Sequence, residues 1–571
     1  MSRWLDRIWG RMVVVFGMVC CVTALVVGSA LPASAATAVG SPSMSVSSHS
    51  VGATQVNYTV KFVATTALTP ASTIALTGPV GTVFAPTAGC SPYIVSNLTV
   101  HATNGCLSAS ASGNNAVITY GLNAAAGNTV SVTANAVTNA SSTGVQNMVV
   151  STSSDTTPVN LPFTLSASSA VTGGSVVLSS HAATATNVSY SVSFTATNAM
   201  TANYSTITLV APAGTTFAPT NGCGPYRVQD DTTGGATGCL SAAVSGGGAT
   251  VAVVMPVNAG VGDHVSIVAN AVANRTTSGP GTLAFSTSSD PKLVALKFKL
   301  KGKTAVKFAG LHVTSTAATA TAVTYSVRFT AVSGLTAGFS TITLAAPTGT
   351  TFSPISGCGP YRVSDDSTGQ ATSCLAALVS NGGATVTVTT PVSVGTGDLV
   401  SIDANAVSNK ATAGANNVTF STSSDPKTVA LSSTLTAPTA VGSAGLTLTS
   451  NVHSATNVTY SVSFVATNAL SAGFSTITLA APAGTTFGPT SGCSPYFVSD
   501  VSTNLATSCL AAVVSNGGAM ATITLPMDVG TGDIVNVTVT GVTNASGTGA
   551  QTLNVSTSSD PVAAGVPYSL T

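Results

Sequence analysis

Val188-Ser189-Tyr190-Ser191-Val192-Ser193-Phe194 alternates large apolar residues with serines. Side chains of a β-strand point alternately to opposite faces, so a period of two predicts a strand with one buried side. The same Val-x-Tyr-x-Val-x-Phe pattern recurs at 56–62, 323–329 and 458–464. Helical periodicity is absent from the residues between these stretches. The chain is therefore predicted to be all-β and repetitive.

A second segment fixes the length of the repeat. Ser-Thr-Ser-Ser-Asp ends at Asp155, Asp290, Asp425 and Asp560, at a constant interval of 135 residues. In each repeat, a Ser-Thr-Ile-Thr-Leu-type run, a third run before the first cysteine and four runs after the second cysteine also alternate as strands do. Eight or nine short strands in about 130 residues are typical of an immunoglobulin-like antiparallel β-sandwich. We expect four tandem domains with almost no linkers: 36–165, 166–300, 301–435 and 436–571.

The first 35 residues have the features of a signal peptide. Arg3, Arg7 and Arg11 precede an apolar run at 12–27, and Ala33-Ser34-Ala35 is a small-residue cleavage site. No second apolar span or anchoring motif follows. We therefore expect a secreted protein at the cell surface with no transmembrane anchor.

Eight cysteines follow the predicted signal peptide, two in each repeat and always 16 residues apart. In an oxidising compartment, evenly paired cysteines favour disulfides, whereas one Cys pair per repeat is too few for a tetrahedral zinc site. Each bridge would add roughly 3 kcal/mol of stability on the chain-entropy model. The predicted disulfides are Cys90–Cys106, Cys223–Cys239, Cys358–Cys374 and Cys493–Cys509.

Charge is sparse. Only 5% of residues are charged, and the 15 acidic residues include no glutamate, against about 25% charged residues in an average globular protein. Weak electrostatic repulsion favours self-association, and the lack of a basic surface argues against nucleic acid as a partner. Six lysines cluster in one stretch, which predicts a lysine-guarded sheet edge or, alternatively, docking to an anionic wall polymer or membrane surface. They are Lys292, Lys297, Lys299, Lys301, Lys303 and Lys307.

The segment between the cysteines, expected to be a polar loop, begins with a recurring Cys-[Gly/Ser]-Pro-Tyr-x-Val motif. Tyrosine and arginine on a tethered loop suit recognition, because both give strong contacts at binding interfaces. The structural alternative is that the tyrosine packs the loop and the following aspartate sets its turn. The candidate binding residues are Tyr226, Arg227, Tyr361, Arg362 and Tyr496.

Catalysis and metal binding have little support in the sequence. The six histidines do not recur at one position in all repeats, and no metalloprotease, nucleophile-elbow or P-loop motif is present. Calcium needs six to eight oxygen ligands, and the pairs Asp230/Asp231 and Asp365/Asp366 are not kept in the other repeats. We expect neither an enzyme, a cofactor nor a metal site.

The chain resembles exported bacterial surface proteins built of tandem Ig-like β-sandwich repeats. The resemblance rests on the regular spacing of the predicted strands, the richness in Thr, Ser, Ala and Gly, and the single cysteine pair per repeat. The resemblance implies a structural or adhesive role. Our first hypothesis is a non-enzymatic rod that forms or joins a cell-surface coat or filament, with itself or other surface components as partners. The alternative is a multivalent adhesin or glycan-binding protein that uses the inter-cysteine loops. The strand after each Ser-Thr-Ser-Ser-Asp segment is expected either to complete its own sandwich or to pair with the next repeat, and the second alternative would permit strand donation between molecules.

Overall fold

The structure is a computed structural model that describes residues 36–571, apart from 88–91, 106, 221–223, 239, 355–358, 374, 490–494, 508–509 and 511. The predicted signal peptide and all eight cysteines of the predicted disulfides lie outside the described residues. The described part of the chain is all-β, with eight five-stranded sheets and one two-stranded sheet, all antiparallel. It contains no α-helix, and its only helical turns are short 3₁₀ helices at Gly246–Gly248, Asn381–Gly383 and Asn516–Gly518.

Two five-stranded sheets lie within residues 36–165, which we call repeat 1. Their orders are β1-β2-β8-β4-β5 and β10-β9-β3-β7-β6. The strands are β1 (Gly40–Val46), β2 (Val56–Val63), β3 (Thr73–Thr77), β4 (Tyr93–Asn97), β5 (Ala102–Asn104), β6 (Ala109–Ser112), β7 (Asn115–Thr119), β8 (Thr129–Val137), β9 (Gly144–Thr152) and β10 (Val159–Leu165).

Residues 166–300, repeat 2, have the same arrangement. The sheet orders are β11-β12-β18-β14-β15 and β16-β17-β13-β19-β20. The strands are β11 (Thr172–Leu178), β12 (Val188–Thr195), β13 (Thr206–Val210), β14 (Tyr226–Asp230), β15 (Ala236–Thr237), β16 (Ala242–Ser245), β17 (Thr250–Val254), β18 (His264–Val272), β19 (Gly279–Thr287) and β20 (Val294–Leu300).

In residues 301–435, repeat 3, the last hairpin is interrupted and part of it forms the two-stranded sheet β29-β32. The larger sheets have the orders β21-β22-β28-β24-β25 and β26-β27-β23-β30-β31. The strands are β21 (Lys307–Val313), β22 (Val323–Thr330), β23 (Thr341–Ala345), β24 (Tyr361–Asp365), β25 (Gln370–Ser373), β26 (Ala377–Ser380), β27 (Thr385–Thr389), β28 (Leu399–Val407), β29 (Gly414–Ala415), β30 (Val418–Thr422), β31 (Val429–Leu431) and β32 (Thr434–Leu435).

Residues 436–571, repeat 4, return to the uninterrupted pattern. The sheet orders are β33-β34-β40-β36-β37 and β38-β39-β35-β41-β42. The strands are β33 (Gly442–Leu448), β34 (Val458–Val465), β35 (Thr476–Ala480), β36 (Tyr496–Asp500), β37 (Leu505–Thr507), β38 (Ala512–Ser515), β39 (Met520–Thr524), β40 (Ile534–Val542), β41 (Gly549–Thr557) and β42 (Ala564–Leu570).

Each pair of larger sheets shares a core formed by the apolar residues of the alternating strands. In repeat 1, Tyr58 and Val132 from one sheet and Ile74 and Met148 from the other are all fully buried in one hydrophobic cluster. Fully burying such a side chain contributes roughly 1.5–3 kcal/mol. The four clusters draw on separate parts of the sequence, 39–165, 171–300, 306–431 and 441–566.

Two expectations for the cysteine region are wrong. The segment between the cysteines is not a loop alone, because it contains hairpins such as β4–β5 and β14–β15. The third strand expected before the first cysteine is reduced to a single bridge, for example Val83 with Thr138. In every repeat a proline stands two residues after a recurring phenylalanine, as in Phe84-Ala85-Pro86. Proline lacks the backbone N–H that a longer strand ladder needs.

The strand that follows Ser-Thr-Ser-Ser-Asp belongs to its own repeat. β10 pairs with β9 along its whole length, and β20 and β42 pair with β19 and β41 in the same way. The hypothesis that this strand completes the next repeat is therefore wrong.

One backbone position explains a difference between the repeats. Ala136, Ala271 and Ala406 have φ values of 57°, 56° and 55° at a bulge in the long central strand of the first sheet. An L-residue with a Cβ is strained in this left-handed region, whereas glycine is not. Repeat 4 has Gly541 there, with φ 70°.

Candidate functional site

The three tyrosines predicted as binding residues are in the core. Tyr226 and Tyr361 are 1% exposed and Tyr496 is 0% exposed. Each phenol donates a hydrogen bond of 2.5 to 2.6 Å to a backbone carbonyl in the segment before the first cysteine, and the acceptors are Ala218, Ser353 and Gly488. Burial raises the pKa of each phenol to about 12. The rings therefore anchor the preceding segment and present no aromatic surface.

The two predicted arginines are exposed but have different neighbours. Arg362 Nη1 lies 3.9 Å from Asp403 Oδ2, whereas Arg227 Nη2 donates to Gln229 Oε1 at 3.0 Å. A second ion pair of repeat 3, Arg328 Nη2 with Asp366 Oδ2 at 2.9 Å, lines the same open cleft as Arg362. The structure thus brings charged residues together beside the predicted site of repeat 3.

This cleft has a volume of about 720 Å³ and lies on the outer side of the β22-β28-β24 sheet. Burial tends to raise the pKa of Asp366, but hydrogen bonds from Arg328, Ser364 and Ser401 and the arginine charge leave it below its ordinary value. The arginine side chain is 66% exposed, so solvent screens the ion pair and it contributes little to stability.

A site that recurs in all four repeats is built on the Ser-Thr-Ser-Ser-Asp segment, which forms a tight turn and which we call the Asp turn. In repeat 1 it joins β9 to β10: Asp155 N–H donates to Thr152 Oγ1 at 2.7 Å and Thr152 N–H donates to Asp155 O at 2.9 Å. The same two bonds close the other turns, between Asp290 and Thr287, Asp425 and Thr422, and Asp560 and Thr557.

The aspartate carboxylate of each turn is buried and holds two further segments of its own repeat. Asp155 accepts hydrogen bonds from the backbone N–H groups of Thr65 and Thr66, both at 3.0 Å, and from Thr37 Oγ1 at 2.7 Å. Burial raises the pKa of the Asp155 carboxyl, but the bonds from these three threonines outweigh it and the pKa lies below its ordinary value. Asp290, Asp425 and Asp560 accept equivalent bonds from the backbone at 197–198, 332–333 and 467–468 and from the hydroxyls of Ser169, Thr304 and Thr439.

Neighbouring repeats meet at the Asp turn. We call residues 47–57, 179–189, 314–324 and 449–459 the loop face of repeats 1 to 4. The turn face is the Asp turn with the segment 67–72, 199–205, 334–340 or 469–475. The loop face of one repeat contacts the turn face of the next, and we call this contact a joint.

Four hydrogen bonds form the first joint, between repeats 1 and 2. They are Ser48 Oγ to Ser289 O at 2.7 Å, Thr54 N to Ser288 O at 2.9 Å, Ala199 N to Ser47 O at 3.2 Å and Asn57 Nδ2 to Thr201 Oγ1 at 2.8 Å.

The same four positions are bonded in the two other joints. Between repeats 2 and 3 the bonds are Ser180 Oγ to Ser424 O at 2.7 Å, Thr186 N to Ser423 O at 2.9 Å, Gly334 N to Ser179 O at 3.0 Å and Ser189 Oγ with Thr336 Oγ1 at 2.7 Å. Between repeats 3 and 4 they are Ser315 Oγ to Ser559 O at 3.0 Å, Thr321 N to Ser558 O at 2.8 Å, Ala469 N to Thr314 O at 3.1 Å and Thr324 Oγ1 with Ser471 Oγ at 2.7 Å. The joint is therefore a repeated, specific contact.

The core of each repeat holds its loop face in place. Tyr190 Oη donates to Asn274 Oδ1 at 2.7 Å, and Asn274 Nδ2 donates to the carbonyls of Ser180 and Ala182 at 3.1 and 2.9 Å. Every repeat has this chain of bonds, from Tyr58 through Asn139, from Tyr325 through Asn409 and from Tyr460 through Asn544. The loop face is thus held in place by hydrogen bonds within its own repeat.

The two faces lie at opposite ends of one strand. In repeat 2, β12 begins two residues after Thr186 of the loop face and ends four residues before Ala199 of the turn face. Its eight residues span about 26 Å at 3.3 Å each. A repeat can therefore contact one neighbour at each end.

The bonds of the joint are made by hydroxyls, amides and carbonyls, all of them uncharged. Among the described residues, no cluster of three or more His, Cys, Asp or Glu side chains is placed to hold a metal ion. The part of the chain that the structure describes also holds no helix of the length and apolar character needed to cross a membrane.

Comparisons with known proteins found no matching family model and no matching curated protein. Similar solved structures include the BSP domain of a biofilm-associated protein, 10% identical over 93% of this chain and 96% of that chain, with a TM-score of 0.14. Two others are the C-terminal domain of the AgI/II polypeptide BspA of Streptococcus agalactiae (9% identical, 46% and 97% covered, TM-score 0.18) and the collagen adhesin of S. aureus (11% identical, 47% and 93% covered, TM-score 0.16). These are bacterial surface proteins, the class that the sequence resembles.

The joint was missed by sequence reasoning, although its Asp turn was the clearest repeat in the chain. Three of its four acceptors are backbone carbonyls, such as those of Ser288 and Ser289, and a carbonyl has no signature in the sequence. The available signal was the recurrence of uncharged Ser and Thr at fixed spacing, as at Ser180 and Ser315.

Proposed function

We propose that this chain is an exported, non-enzymatic structural protein that forms or joins a cell-surface coat or filament. In this proposal the ranges 36–165, 166–300, 301–435 and 436–571 are four β-sandwich domains. Each is cross-linked by one disulfide between its two cysteines, and the domains stack into a semi-rigid rod.

The recurring joint is the observation that carries this proposal. Because the same four bonds form three times, successive repeats have the same relative arrangement, and a repeated arrangement generates a regular stack. The serine hydroxyl donors are buried in these joints: Ser48 is 0% exposed, and Ser180 and Ser315 are 1% exposed. A buried hydrogen bond is costly to leave unmade, which opposes bending at the joint.

The connections between repeats support the same conclusion. Only six residues separate β10, which ends at Leu165, from β11, which begins at Thr172. Part of this segment is itself bonded, since Ser166 forms a bridge with Ser50 of the loop face. The chain therefore has little free length with which to swing one repeat against the next.

Negative-stain electron microscopy of residues 36–571, purified under oxidising conditions, tests the proposal. We expect straight four-unit particles at low concentration and sheets or fibres at high concentration. Particles that bend freely at the joints would contradict the rod, and isolated rods at every concentration would contradict the coat or filament.

A second candidate function, a multivalent adhesin or glycan-binding protein, is favoured by the charged cleft beside Arg362. Exposed Arg with nearby carboxylates and hydroxyls offers both donors and acceptors to a polar ligand. The test is glycan binding by Arg362→Ala, with Lys427→Ala as the matched control because Lys427 is an exposed cation of the same repeat that does not line the cleft. Loss of binding in the first variant alone would support the cleft, and equal binding by both would exclude it.

A further inference from the structure

The first and last repeats each carry one half of a joint that has no partner within the described chain. In repeat 1 the Asp turn is uncovered: Ser153 is exposed and Ser154 half-buried. In repeats 2, 3 and 4 the first serine of the equivalent pair is at most 8% exposed and the second is 0% exposed. These pairs are Ser288/Ser289, Ser423/Ser424 and Ser558/Ser559. The difference shows how much of the turn a joint covers.

At the other end, the loop face of repeat 4 is uncovered. Ser450 is half-buried, whereas Ser48, Ser180 and Ser315 are at most 1% exposed. Val452 is 51% exposed at the position where Ala182 and Ala317 are 1% and 0% exposed. In repeats 2 and 3 this position pairs with the chain that leads into the next repeat, Ala182 with Lys301 and Ala317 with Thr436, so it lies beside the joint. The exposed valine adds apolar area at this place.

Both uncovered faces keep the groups that the joint uses. The loop face of repeat 4 has Thr449, Ser450, Thr456 and Thr459 at the positions of Thr314, Ser315, Thr321 and Thr324. The turn face of repeat 1 has Ala67, Thr69, Ser153 and Ser154 at the positions of Ala199, Thr201, Ser288 and Ser289.

The loop face of repeat 4 and the Asp turn of repeat 1 are also already in the bonded conformation, whereas the segment 67–72 is one residue shorter than 199–205 and is closed by Thr69 N–H to Ser72 Oγ where repeat 2 has Thr201 N–H to Ser205 Oγ. Asn544 accepts from Tyr460 at 2.8 Å and donates to the carbonyls of Ser450 and Val452 at 3.1 and 2.8 Å, as in the repeats whose loop face is covered. The turn of repeat 1 is closed by Thr152 and Asp155 as the other turns are. Faces that need no rearrangement lose little entropy on docking.

We propose that the loop face of repeat 4 of one molecule docks onto the turn face of repeat 1 of a second copy of this chain, and so extends the stack from molecule to molecule. The inference rests on the proposed function and names its partner and its contact. Because the two faces differ and lie at opposite ends of the stack, the contact is heterologous and does not close on itself as a two-fold dimer does. The product is an open, head-to-tail filament.

The joint between molecules has the same bonds as the joints within one molecule but lacks the covalent connection. A short connection holds two faces near each other at an effective concentration in the mM range, so at lower protein concentrations the joint between molecules is occupied less than the joints within one molecule. The uncharged character of the joint predicts that the association depends little on salt.

Blocking one face at a time tests the proposal. Val452→Arg blocks the loop face of repeat 4, and Val513→Arg, at a valine that is 70% exposed on β38 of the same repeat, is its matched control. Ala67→Arg blocks the turn face of repeat 1, and Ser112→Arg, at an exposed residue of β6, is its control. Each protein is examined by sedimentation velocity up to about 1 mM, the effective concentration of a short linker.

We expect the wild type and both controls to form a concentration-dependent series of oligomers, and each blocked variant alone to remain monomeric. A mixture of Val452→Arg and Ala67→Arg should give dimers and nothing larger, because it offers one open face of each kind. Oligomers that persist in Val452→Arg overturn this contact but leave the proposed coat or filament standing. A wild type that stays monomeric over the whole range overturns the contact and the self-assembly together. Oligomers of the expected kind without fibres or sheets in the microscope overturn the proposed function alone.

Discussion

The buried aspartate of the Asp turn is the residue on which each repeat depends most. In repeat 4, Asp560 is 0% exposed and accepts from the N–H groups of Thr467 and Asn468 and from Thr439 Oγ1. One carboxylate thereby joins the start of the repeat, the loop after β34 and the turn before β42. No neutral side chain of the same shape offers as many acceptor sites.

Asp560→Asn should therefore destabilise repeat 4 by about 2 kcal/mol, since hydrogen bonds to a charged group contribute roughly 1.5–3 kcal/mol and the amide places a donor against donors. The measurement is hydrogen exchange of β40, which reads the local free energy of opening. The control is Asp528→Asn, because Asp528 is exposed and accepts one bond, from Ala472 N–H. A control with an effect as large as that of Asp560→Asn would contradict the role of burial.

Asp155 adds a pH dependence to repeat 1. Its pKa in the folded chain is lowered, despite burial, by the bonds from Thr37, Thr66 and Thr65. A lowered folded pKa stabilises the fold above the unfolded value, about 3.9, and this stabilisation is lost as the pH falls through the folded pKa. We expect protection of β8 from hydrogen exchange, corrected for intrinsic rates, to be level above about pH 5 and to decline in acid. In Asp155→Asn the acid decline should be smaller, and an unchanged profile would show that another group is responsible.

Among the elements, β20 shows how an exposed sheet edge is protected. It lies at the edge of its sheet, with Leu296 and Leu300 buried and Lys297 and Lys299 exposed. Outward lysines on an edge strand oppose pairing with a second chain. This arrangement favours the edge-guarding interpretation of the lysine cluster over docking to an anionic polymer.

Replacing both exposed lysines, Lys297→Thr with Lys299→Thr, should increase aggregation on prolonged incubation, measured by light scattering. The physical reason is that the variant has an uncharged edge with high β-propensity. Lys410→Thr with Lys427→Thr makes the same change of charge away from this strand. Equal aggregation of both double variants would mean that total charge, and not the edge, controls solubility.

The sequence predicted those elements whose two faces differ clearly in polarity. β12, β22, β28 and β34 alternate apolar and polar residues over eight or nine positions and were predicted as strands. The hairpin of β4 and β5 was not, because its first strand comes directly after a cysteine and a proline in the sequence and its second, Ala102–Asn104, has no apolar alternation. The first strand of each repeat, such as β11 with Thr172-Gly173-Gly174, was missed for the same reason. These weakly patterned strands form because neighbouring strands provide their hydrogen bonds.

The candidate binding residues also divide into buried and exposed positions according to the alternation of a strand. The alternation of Tyr226, Arg227 and Val228 on β14 places the arginine outside and its two neighbours inside. The motif was interpreted either as a recognition loop or as a loop packed by its tyrosine with a turn set by the following aspartate. Tyr226 is buried and Asp230 accepts bonds from Thr232 and Thr233 in the turn, as the second interpretation expects, but the period of two indicates a strand and not a loop. Contacts between repeats lie beyond such reasoning, because they join residues such as Ser48 and Ser289 that are 241 positions apart.

At the scale of the whole molecule, the proposed stack predicts that the joints set its stiffness. Ser180→Ala with Ser315→Ala removes one buried hydroxyl donor from each of the last two joints. Each lost bond weakens its joint by about 1 kcal/mol and leaves the carbonyl of Ser424 or Ser559 without that donor. Small-angle X-ray scattering should then show a smaller maximum dimension than for the wild type.

The matched control is Ser175→Ala with Ser193→Ala, which removes an exposed pair of hydroxyls that bond to each other within repeat 2. Its scattering should match that of the wild type. If the joint variant also matches the wild type, the covalent connections, and not these bonds, hold the repeats in line.

Every copy contains both halves of the joint, at the two ends of a strand such as β12. A gene encoding such a chain can gain or lose a whole copy by unequal recombination, and the new neighbours fit without any compensating substitution. Selection can therefore change how far the molecule extends, in steps of one repeat, while the contacts that hold it together stay the same.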